Sequence, residues 1–211
     1  MVLAVIDRIR WAIFATIMSV SLVGGPVAAH ADSDGGGGGG GGGDNVVIVH
    51  NHQDGATRAR SRTAVSINHT DTVANQNYAE AYSSCTGCRT VAAAVQVVLV
   101  EGNPSTFVPA NAAVAVNDEC HFCQTFAFAR QFVISTDGEA SLSEDAREQI
   151  SDLNGQVTAV VGSDEPFAQM NDDLDSLAVQ IDTVAVNDLQ RAGRHADVED
   201  HRDVKEQDNQ D

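Results

Sequence analysis

The fold is decided by two stretches that align without a gap, Cys85-Thr-Gly-Cys88-Arg-Thr90-Val-Ala92-Ala-Ala94-Val-Gln96-Val-Val98 and Cys120-His-Phe-Cys123-Gln-Thr125-Phe-Ala127-Phe-Ala129-Arg-Gln131-Phe-Val133. Every matched pair of residues is separated by 35 positions. Self-similarity at a fixed spacing is typical of a duplicated supersecondary unit. Beyond the cysteines the identities fall at every second residue, which is the spacing of side chains on one face of a β-strand.

An α-helix over residues 90–100 is the alternative interpretation of this stretch. The abundant alanines favour it, because Ala is depleted in strands. A helix, however, would keep identities three and four positions apart, and the two copies do not. We therefore predict strands, whose small inward side chains would allow a neighbouring sheet or backbone to approach closely.

Three more segments resemble one another, namely Asn45–Asn51, Asn77–Ser83 and Asn111–Asn117. Each is followed by a turn, and then by a return segment in which Thr and small or apolar residues occupy alternate positions. The pattern predicts repeated antiparallel β-hairpins, about six strands in all, within residues 45–138.

After Gly138 the apolar residues change to a helical period. Two stripes with spacings of three and four residues follow: Leu142, Ala146, Ile150, Leu153, Val157 and Val160, then Phe167, Met170, Leu174, Leu177, Ile181 and Val184. Ser141 and Glu144 have the spacing of a capping box. We predict an antiparallel helical hairpin over residues 139–195, so the fold class is α+β. The acidic tail, residues 196–211, has few apolar side chains and is expected to be disordered.

The N-terminal residues have the features of an export signal. Two arginines precede a mostly apolar run from Trp11 to Val23, and small residues up to Ala31 suit signal peptidase. We predict a signal peptide over residues 1–31, a glycine-rich linker over residues 32–44 and a secreted, extracytoplasmic product. A transmembrane anchor is the alternative, but the apolar run is shorter than the ~20 residues that a bilayer requires.

The chain is strongly acidic, with 30 Asp and Glu residues, 12 Lys and Arg residues and a net charge of −18. Without residues 1–31 the balance is 29 acidic against 10 basic residues, a net charge of −19. Binding of nucleic acid or of anionic lipid depends on clustered positive charge. We therefore expect no nucleic-acid partner, and no membrane insertion after signal cleavage.

The candidate site residues are the cysteines of two CxxC motifs: Cys85, Cys88, Cys120 and Cys123. In an exported protein an even number of cysteines favours disulfides, with no cofactor. A structural zinc site with four thiolate ligands is the alternative, and reduced or redox-active thiols are a third interpretation. Disulfides could form within each motif or in either of two crossed pairings between the motifs.

No known catalytic motif is present in the sequence, which lacks HExxH, GxSxG, a P-loop and a GxGxxG that opens a helix. His50 and His52 form an HxH without a third ligand at a suitable spacing. Alternation places the arginines of residues 58–62 on one face of a strand. Thioredoxin-type chemistry needs its first Cys at a helix N-terminus in a βαβ unit, and no such alternation is found. We predict a protein that is not an enzyme.

Taken together with Asn111-x-Ala-Val-Ala-Val-Asn117, the double C-x-x-C-x-T-x-A-x-A-x-Q pattern resembles the extracytoplasmic C-terminal region of bacterial proteins of the peptide zinc metalloprotease kind. The likeness covers about residues 45–190. This chain has neither the membrane core nor the HExxH of those proteins, so the resemblance assigns proteolysis to none of its residues. It implies a detached, exported accessory domain with a membrane-associated protein partner.

The sequence thus predicts a secreted, non-catalytic scaffold or protein-interaction domain that is braced by its CxxC cysteines. The alternative is a structural zinc-binding or thiol-redox accessory protein linked to a membrane peptide protease or export system.

Overall fold

The computed structural model describes residues 43–209. The predicted signal peptide and residues 32–42 of the predicted linker lie outside the described residues. Within them the chain forms, in order, β1 (Asn45–Asn51), β2 (Thr57–Asn68), β3 (Thr72–Val73), β4 (Gln76–Ser83), β5 (Arg89–Glu101), β6 (Thr106–Phe107), β7 (Ala110–Asn117), β8 (Cys123–Thr136), α1 (Glu144–Val161), α2 (Phe167–Arg191) and β9 (Ala196–Asn209).

Successive long strands alternate between two sheets. Sheet A has the strand order β1-β4-β7 and sheet B the order β2-β5-β8-β9, while the short β3 and β6 form a third sheet. All pairs among β1 to β8 are parallel. The chain therefore winds through three coils, each of which adds one strand to sheet A and one to sheet B.

The prediction of antiparallel β-hairpins is wrong, although the α+β class and the strand over residues 90–100 are confirmed. Each turn after β1, β4 or β7 carries the chain into the other sheet rather than back along its own sheet. Side chains alternate with the same period in parallel and in antiparallel strands, so periodicity could not distinguish the two kinds of pairing. In the observed register β5 pairs with β8 from Arg89↔Gln124 to Glu101↔Thr136. The two aligned stretches therefore lie side by side.

Small side chains fill the space between the two sheets. The shared interior cluster contains two valines of β1 and eight alanines from β4, β5, β7 and β8: Val47, Val49, Ala79, Ala81, Ala92, Ala94, Ala113, Ala115, Ala127 and Ala129. Because an alanine side chain extends by only one carbon, the facing backbones can pack closely. This agrees with the packing expected for the alanine-rich face of residues 90–100.

A ladder of asparagine side chains crosses the three coils, with Asn45 and Asn77 buried and Asn111 partly exposed. Asn45 Nδ2 donates to Asn77 Oδ1 at 2.8 Å, and Asn77 Nδ2 donates to Asn111 Oδ1 at 2.7 Å. Gln131 Nε2 likewise donates to Gln96 Oε1 at 2.8 Å, between β8 and β5. Since buried amides require hydrogen-bond partners, these contacts favour the observed register over any other.

Helices α1 and α2 cover the outer face of sheet B. Their apolar stripes share one buried cluster with outward-facing residues of β5 and β8, such as Val95 and Phe128. The two predicted C-terminal helices are confirmed. The N-cap of α1, however, is Ser143, whose side chain accepts from Ala146 N, and not the predicted Ser141. None of the described helices is both long and apolar enough to cross a membrane.

Residues 196–209 form β9 and not the disordered tail that the sequence predicted. Strand β9 pairs antiparallel with β8, which would otherwise expose an unpaired edge. Arg130 donates to Asp200 at 2.6 Å, and the backbone N of Ala113 donates to Asp203 Oδ2 at 2.9 Å. Composition alone could not reveal this strand, because the groups that hold it lie on β7, β8 and α2.

Candidate functional site

The four cysteines lie in the turns that lead from sheet A into sheet B. The pair Cys85–Cys88 follows β4 and the pair Cys120–Cys123 ends at the start of β8, and each pair is joined by a disulfide, with Sγ–Sγ distances of 2.03 and 2.04 Å. The predicted disulfides are thus confirmed, in the pairing within each motif. The described residues contain no free cysteine.

The two disulfide turns are stacked on each other. Thr86 forms a parallel bridge with His121, and the backbone N of Gly87 donates to the backbone oxygen of His121 at 2.8 Å. Gly87 has a φ of 66°, and Phe122, at the equivalent place in the second turn, has a φ of 56°. This left-handed region favours glycine. The second turn therefore holds a bulky side chain, 63% exposed, in a backbone conformation that suits glycine.

The sulfur atoms form one buried group, which we call the sulfur cluster. Cys123 and Cys88 are 0% and 2% exposed, while Cys85 and Cys120 are 6% and 8% exposed. All four Sγ atoms lie within 4.8 Å of one another. Sγ of Cys88 and Sγ of Cys123, which belong to different disulfides, are 3.2 Å apart. Over residues 43–209, no other group of three or more Cys, His, Asp or Glu side chains has the spacing of metal ligands.

A buried network of hydroxyl groups lies next to the cysteine turns in the chain. Ser83 Oγ lies 2.6 Å from Thr90 Oγ1 and 2.8 Å from Thr125 Oγ1, and Thr125 also donates to Asn117 Oδ1. Sequence reasoning missed this network, although the matched threonines at positions 90 and 125 were a signal for it. The hydroxyls satisfy one another and an amide, which indicates a structural role for them.

The outer face of sheet A is left uncovered by every described element. This sheet A face consists of alternate residues of β1, β4 and β7: Val46, Ile48, His50, Tyr78, Glu80, Tyr82, Val114 and Val116. Val46 is 41% and Ile48 46% exposed, whereas Val95 and Leu99 on the helix-covered face of sheet B are 0% exposed. Alternation predicted two faces for each strand, but it could not tell which outer face the helices would cover.

Aromatic rings gather at one end of the sheet A face. The rings of His50 and His52 lie 5.4 and 5.7 Å from the ring of Tyr82. The HxH of the sequence thus contributes to an aromatic group. The carboxylate of Glu80 also approaches this group, and its Oε1 lies 3.0 Å from Nε2 of His50.

Carboxylates hold both tyrosine hydroxyls of the sheet A face. Tyr78 donates to Glu80 Oε2 at 2.6 Å, and Tyr82 donates to Asp118 Oδ2 at 2.7 Å. Burial and then the bond to Glu80 raise the pKa of Tyr78, while the bond to Asp118 is the main cause that raises the pKa of Tyr82. Both phenols therefore stay protonated as donors at neutral pH.

A charge network ties α2 to β8 and β9. Arg130 contacts Asp175 at 3.0 Å and Asp200 at 2.6 Å, and Arg202 contacts Asp175 at 2.7 Å. Asp182 lies near this network, and burial followed by the negative charge of Asp200 raises its pKa to about 6. The network explains how a tail rich in acids is held against an acidic protein.

The arginines singled out in the sequence lie on the edge strand β2. Arg58, Arg60 and Arg62 are in register with Thr90, Ala92 and Ala94 of β5, and so share one strand face, as predicted. All three are exposed. They do not contribute to the sulfur cluster or to the sheet A face.

Comparison of the chain with protein-family models, with curated proteins and with solved structures gives no match. Its function must therefore be inferred from its own geometry.

Proposed function

We propose that this chain is a secreted, non-catalytic scaffold domain that binds a protein partner through the sheet A face. The observation that carries the proposal is the contrast between the two sheets. Helices bury the apolar outer face of sheet B, while the sheet A face exposes Val46, Ile48 and a group of aromatic rings. Contiguous exposed apolar patches with polar surroundings are typical of interaction surfaces.

The composition of the sheet A face suits recognition of a protein. Tyrosine is enriched at the centres of protein interfaces, where it combines apolar area with a polar tip. Tyr78 and Tyr82 each have their hydroxyl fixed by a carboxylate. A partner that docks on rings already held in place loses less side-chain entropy on binding.

The disulfides have a bracing role in this proposal. Each closes a turn of four residues that links a strand of sheet A to a strand of sheet B. Closed turns restrict the unfolded chain and keep the two sheets at a fixed separation. The sheet A face is thereby presented on a rigid support.

Export and the class of partner are further parts of the proposal. The predicted signal peptide and the even cysteine count both favour an oxidising, extracytoplasmic location. The resemblance to the C-terminal region of membrane peptide zinc metalloproteases makes a membrane-associated protein the expected partner. A large negative charge favours solubility in that setting.

The proposal is tested by paired substitutions on the two outer surfaces. Ile48→Asp places a charge on the sheet A face, and Val179→Asp makes the same change at a 44% exposed valine of α2. Immobilised protein is offered the extracytoplasmic and membrane proteins of its source cells. We expect a partner that the unmodified chain and Val179→Asp retain and that Ile48→Asp loses. Equal retention by all three proteins, or retention of no partner, would contradict the proposal.

A second candidate function, structural zinc binding, is favoured by one observation. Four cysteine Sγ atoms within 4.8 Å of one another match the ligand set of a tetrahedral zinc site, once they are reduced to thiolates. Intact mass and metal analysis of protein from an oxidising host decide between the two. A loss of four hydrogens with no metal supports the disulfide-braced scaffold. One zinc ion with four thiols supports the second candidate instead.

A further inference from the structure

We infer that the sulfur cluster is a site of thiol-catalysed disulfide exchange, at which a small thiol converts the two disulfides within the turns into two disulfides across the turns. The products are Cys88–Cys123 and Cys85–Cys120. The inference rests on the oxidised cluster of the proposed function, but it does not depend on the binding of a partner.

The inner pair of cysteines carries the argument. Sγ of Cys88 and Sγ of Cys123 are 3.2 Å apart although no bond joins them. The residues that follow them, Arg89 and Gln124, are register partners on β5 and β8. Neighbouring strands lie about 4.8 Å apart, and a disulfide accepts Cα separations of about 4.4–6.8 Å. The backbone therefore permits a bond between Cys88 and Cys123 without rearrangement of the coils.

The outer pair has the same relationship and is easier to reach. Thr86 and His121, which follow Cys85 and Cys120, form a parallel bridge. Cys120 is 8% exposed and Cys85 6%, against 2% for Cys88 and 0% for Cys123. A small thiol therefore meets Cys120 or Cys85 first.

The exchange begins with attack by the external thiolate on Sγ of Cys120. A mixed disulfide forms at Cys120, the Cys120–Cys123 bond breaks, and its electron pair leaves with Cys123 as a thiolate. Cys123 then attacks Sγ of Cys88, its neighbour at 3.2 Å. The Cys88–Cys123 bond forms, the Cys85–Cys88 bond breaks, and Cys85 becomes the thiolate.

The last step regenerates the thiol. Cys85 attacks Sγ of Cys120 in the mixed disulfide, which forms Cys85–Cys120 and releases the external thiolate. Two disulfides are present before and after, so no net oxidation or reduction takes place. All four sulfur atoms stay within the same cluster throughout, since they begin within 4.8 Å of one another.

The consequence is a covalent link between successive coils. Disulfides within a turn close only four residues and leave the coils joined by hydrogen bonds and packing. The exchanged bonds join residues that are 35 positions apart, as Cys88 and Cys123 are. Exchange thus converts a brace on each turn into a lock between the second and third coils.

Trypsin separates the two states, because Arg89 lies between the motifs. Cleavage after Arg62, Arg89 and Arg130 gives peptides 63–89 and 90–130, each of which contains one CxxC motif. The full chain is incubated with substoichiometric glutathione at about pH 8, where thiolate is available, and is then trapped with N-ethylmaleimide and digested without reduction. We expect the two peptides to become joined. Peptides that stay separate, with or without alkylated cysteines, would overturn the inference.

Two double variants test the contact between the inner sulfurs directly. The variant Cys85→Ser/Cys120→Ser keeps Cys88 and Cys123, and we expect it to lose two hydrogens in air and to yield joined peptides. The matched variant Cys85→Ser/Cys123→Ser keeps the diagonal pair. It should close at least about tenfold more slowly, because a misplacement of about 1 Å greatly slows an intramolecular reaction. Equal rates, or free thiols in the first variant, would contradict the inference.

Failure of the proposed function is distinguishable from failure of the exchange. Intact mass of the untreated chain tests the oxidised cluster before any thiol is added. If the variants do not fold, the glutathione experiment on the unmodified chain still decides the inference.

Discussion

Asn77 donates through Nδ2 to Oδ1 of Asn111 at 2.7 Å, between the two sheets. The two residues are 34 positions apart and are register partners on the parallel strands β4 and β7. Asn77 also donates to the backbone oxygen of Ala94 at 3.1 Å, which connects sheet A to sheet B. One amide therefore fixes both the stacking of the coils and the separation of the sheets.

Removal of this amide should destabilise the fold. Asn77→Ala removes the donor to Asn111 Oδ1 and to the backbone oxygen of Ala94, and one of the three acceptors of Asn45 Nδ2, in a region where Asn77 is 0% exposed. Because each buried polar group left unsatisfied costs about 1–3 kcal/mol, we expect the free energy of unfolding to fall by about 3 kcal/mol. Urea denaturation measures it. The exposed Asn187→Ala on α2 should change it by less than about 0.5 kcal/mol. Similar losses in both variants would contradict the ladder.

The alanine interior should not accept larger side chains. Ala94 is 0% exposed and lies between the sheets. Ala94→Leu would force the sheets apart, and overpacking of this kind typically costs about 1–3 kcal/mol. Thermal unfolding followed by circular dichroism checks the effect. Ala59→Leu, at an exposed position of β2, serves as the control and should be close to neutral. An unchanged transition temperature for Ala94→Leu would mean that the sheets are not closely packed.

Substitution of the central residue should stabilise one disulfide turn and destabilise the other. Phe122→Gly relieves a left-handed φ of 56°, and Gly87→Ala introduces a side chain at a φ of 66°. No atom lies within 4 Å of a Cβ at Gly87, so backbone conformation alone decides the effect. We expect a gain of about 1 kcal/mol for the first variant and a loss of about 1 kcal/mol for the second. A loss of stability for Phe122→Gly, or a gain for Gly87→Ala, in denaturant titrations would contradict the stacked turn geometry.

Asp182 should make the protein less stable as the pH rises. Burial, and then the charge of Asp200, raises its pKa from 3.8 to about 6 in the folded chain. The folded state therefore holds this proton more tightly than the unfolded state. The resulting stabilisation is complete below the unfolded pKa and is lost as the pH rises through about 6.

The variant Asp182→Asn, which cannot ionise, isolates this effect. At about pH 7.5 it should raise the free energy of unfolding by about 1 kcal/mol, a value reduced from the full shift because Asp182 is only partly buried and solvent screens its charge. At about pH 3.5 it should have little effect. Asp152→Asn, an exposed change on α1, should not show this pH dependence. A gain for Asp182→Asn that is equal at both pH values would contradict the assignment.

Features of the fold that arise from local interactions could be predicted from the sequence, and features that depend on contacts between distant residues could not. The strand over residues 90–100 and the two helices are visible in the sequence, because alternation and a 3.6-residue period are local. The direction of pairing is not local, since it depends on which sheet a turn leads into. The matched cysteines did contain the answer: copies that lie 35 residues apart can place like residues side by side only if they stack in parallel.

Strand β9 and the exposure of the sheet A face are two features that the sequence alone could not predict. The residues of β9 are acidic and would not form a strand alone, but the open edge of β8, Arg130 and the backbone of β7 provide partners for them. The sheet A face depends on where two helices dock, which the alternation in β1 and β4 leaves open. Both features arise from contacts between distant parts of the chain.

The most direct test of the parallel coils is a set of interstrand proton contacts in isotope-labelled protein. The account predicts that NMR contacts between β5 and β8 follow the register from Arg89↔Gln124 to Glu101↔Thr136, with one constant difference between paired residue numbers. Contacts between paired residues whose numbers have a constant sum would show antiparallel hairpins instead. That result would contradict the stacked turns, the sulfur cluster and the functions inferred from them.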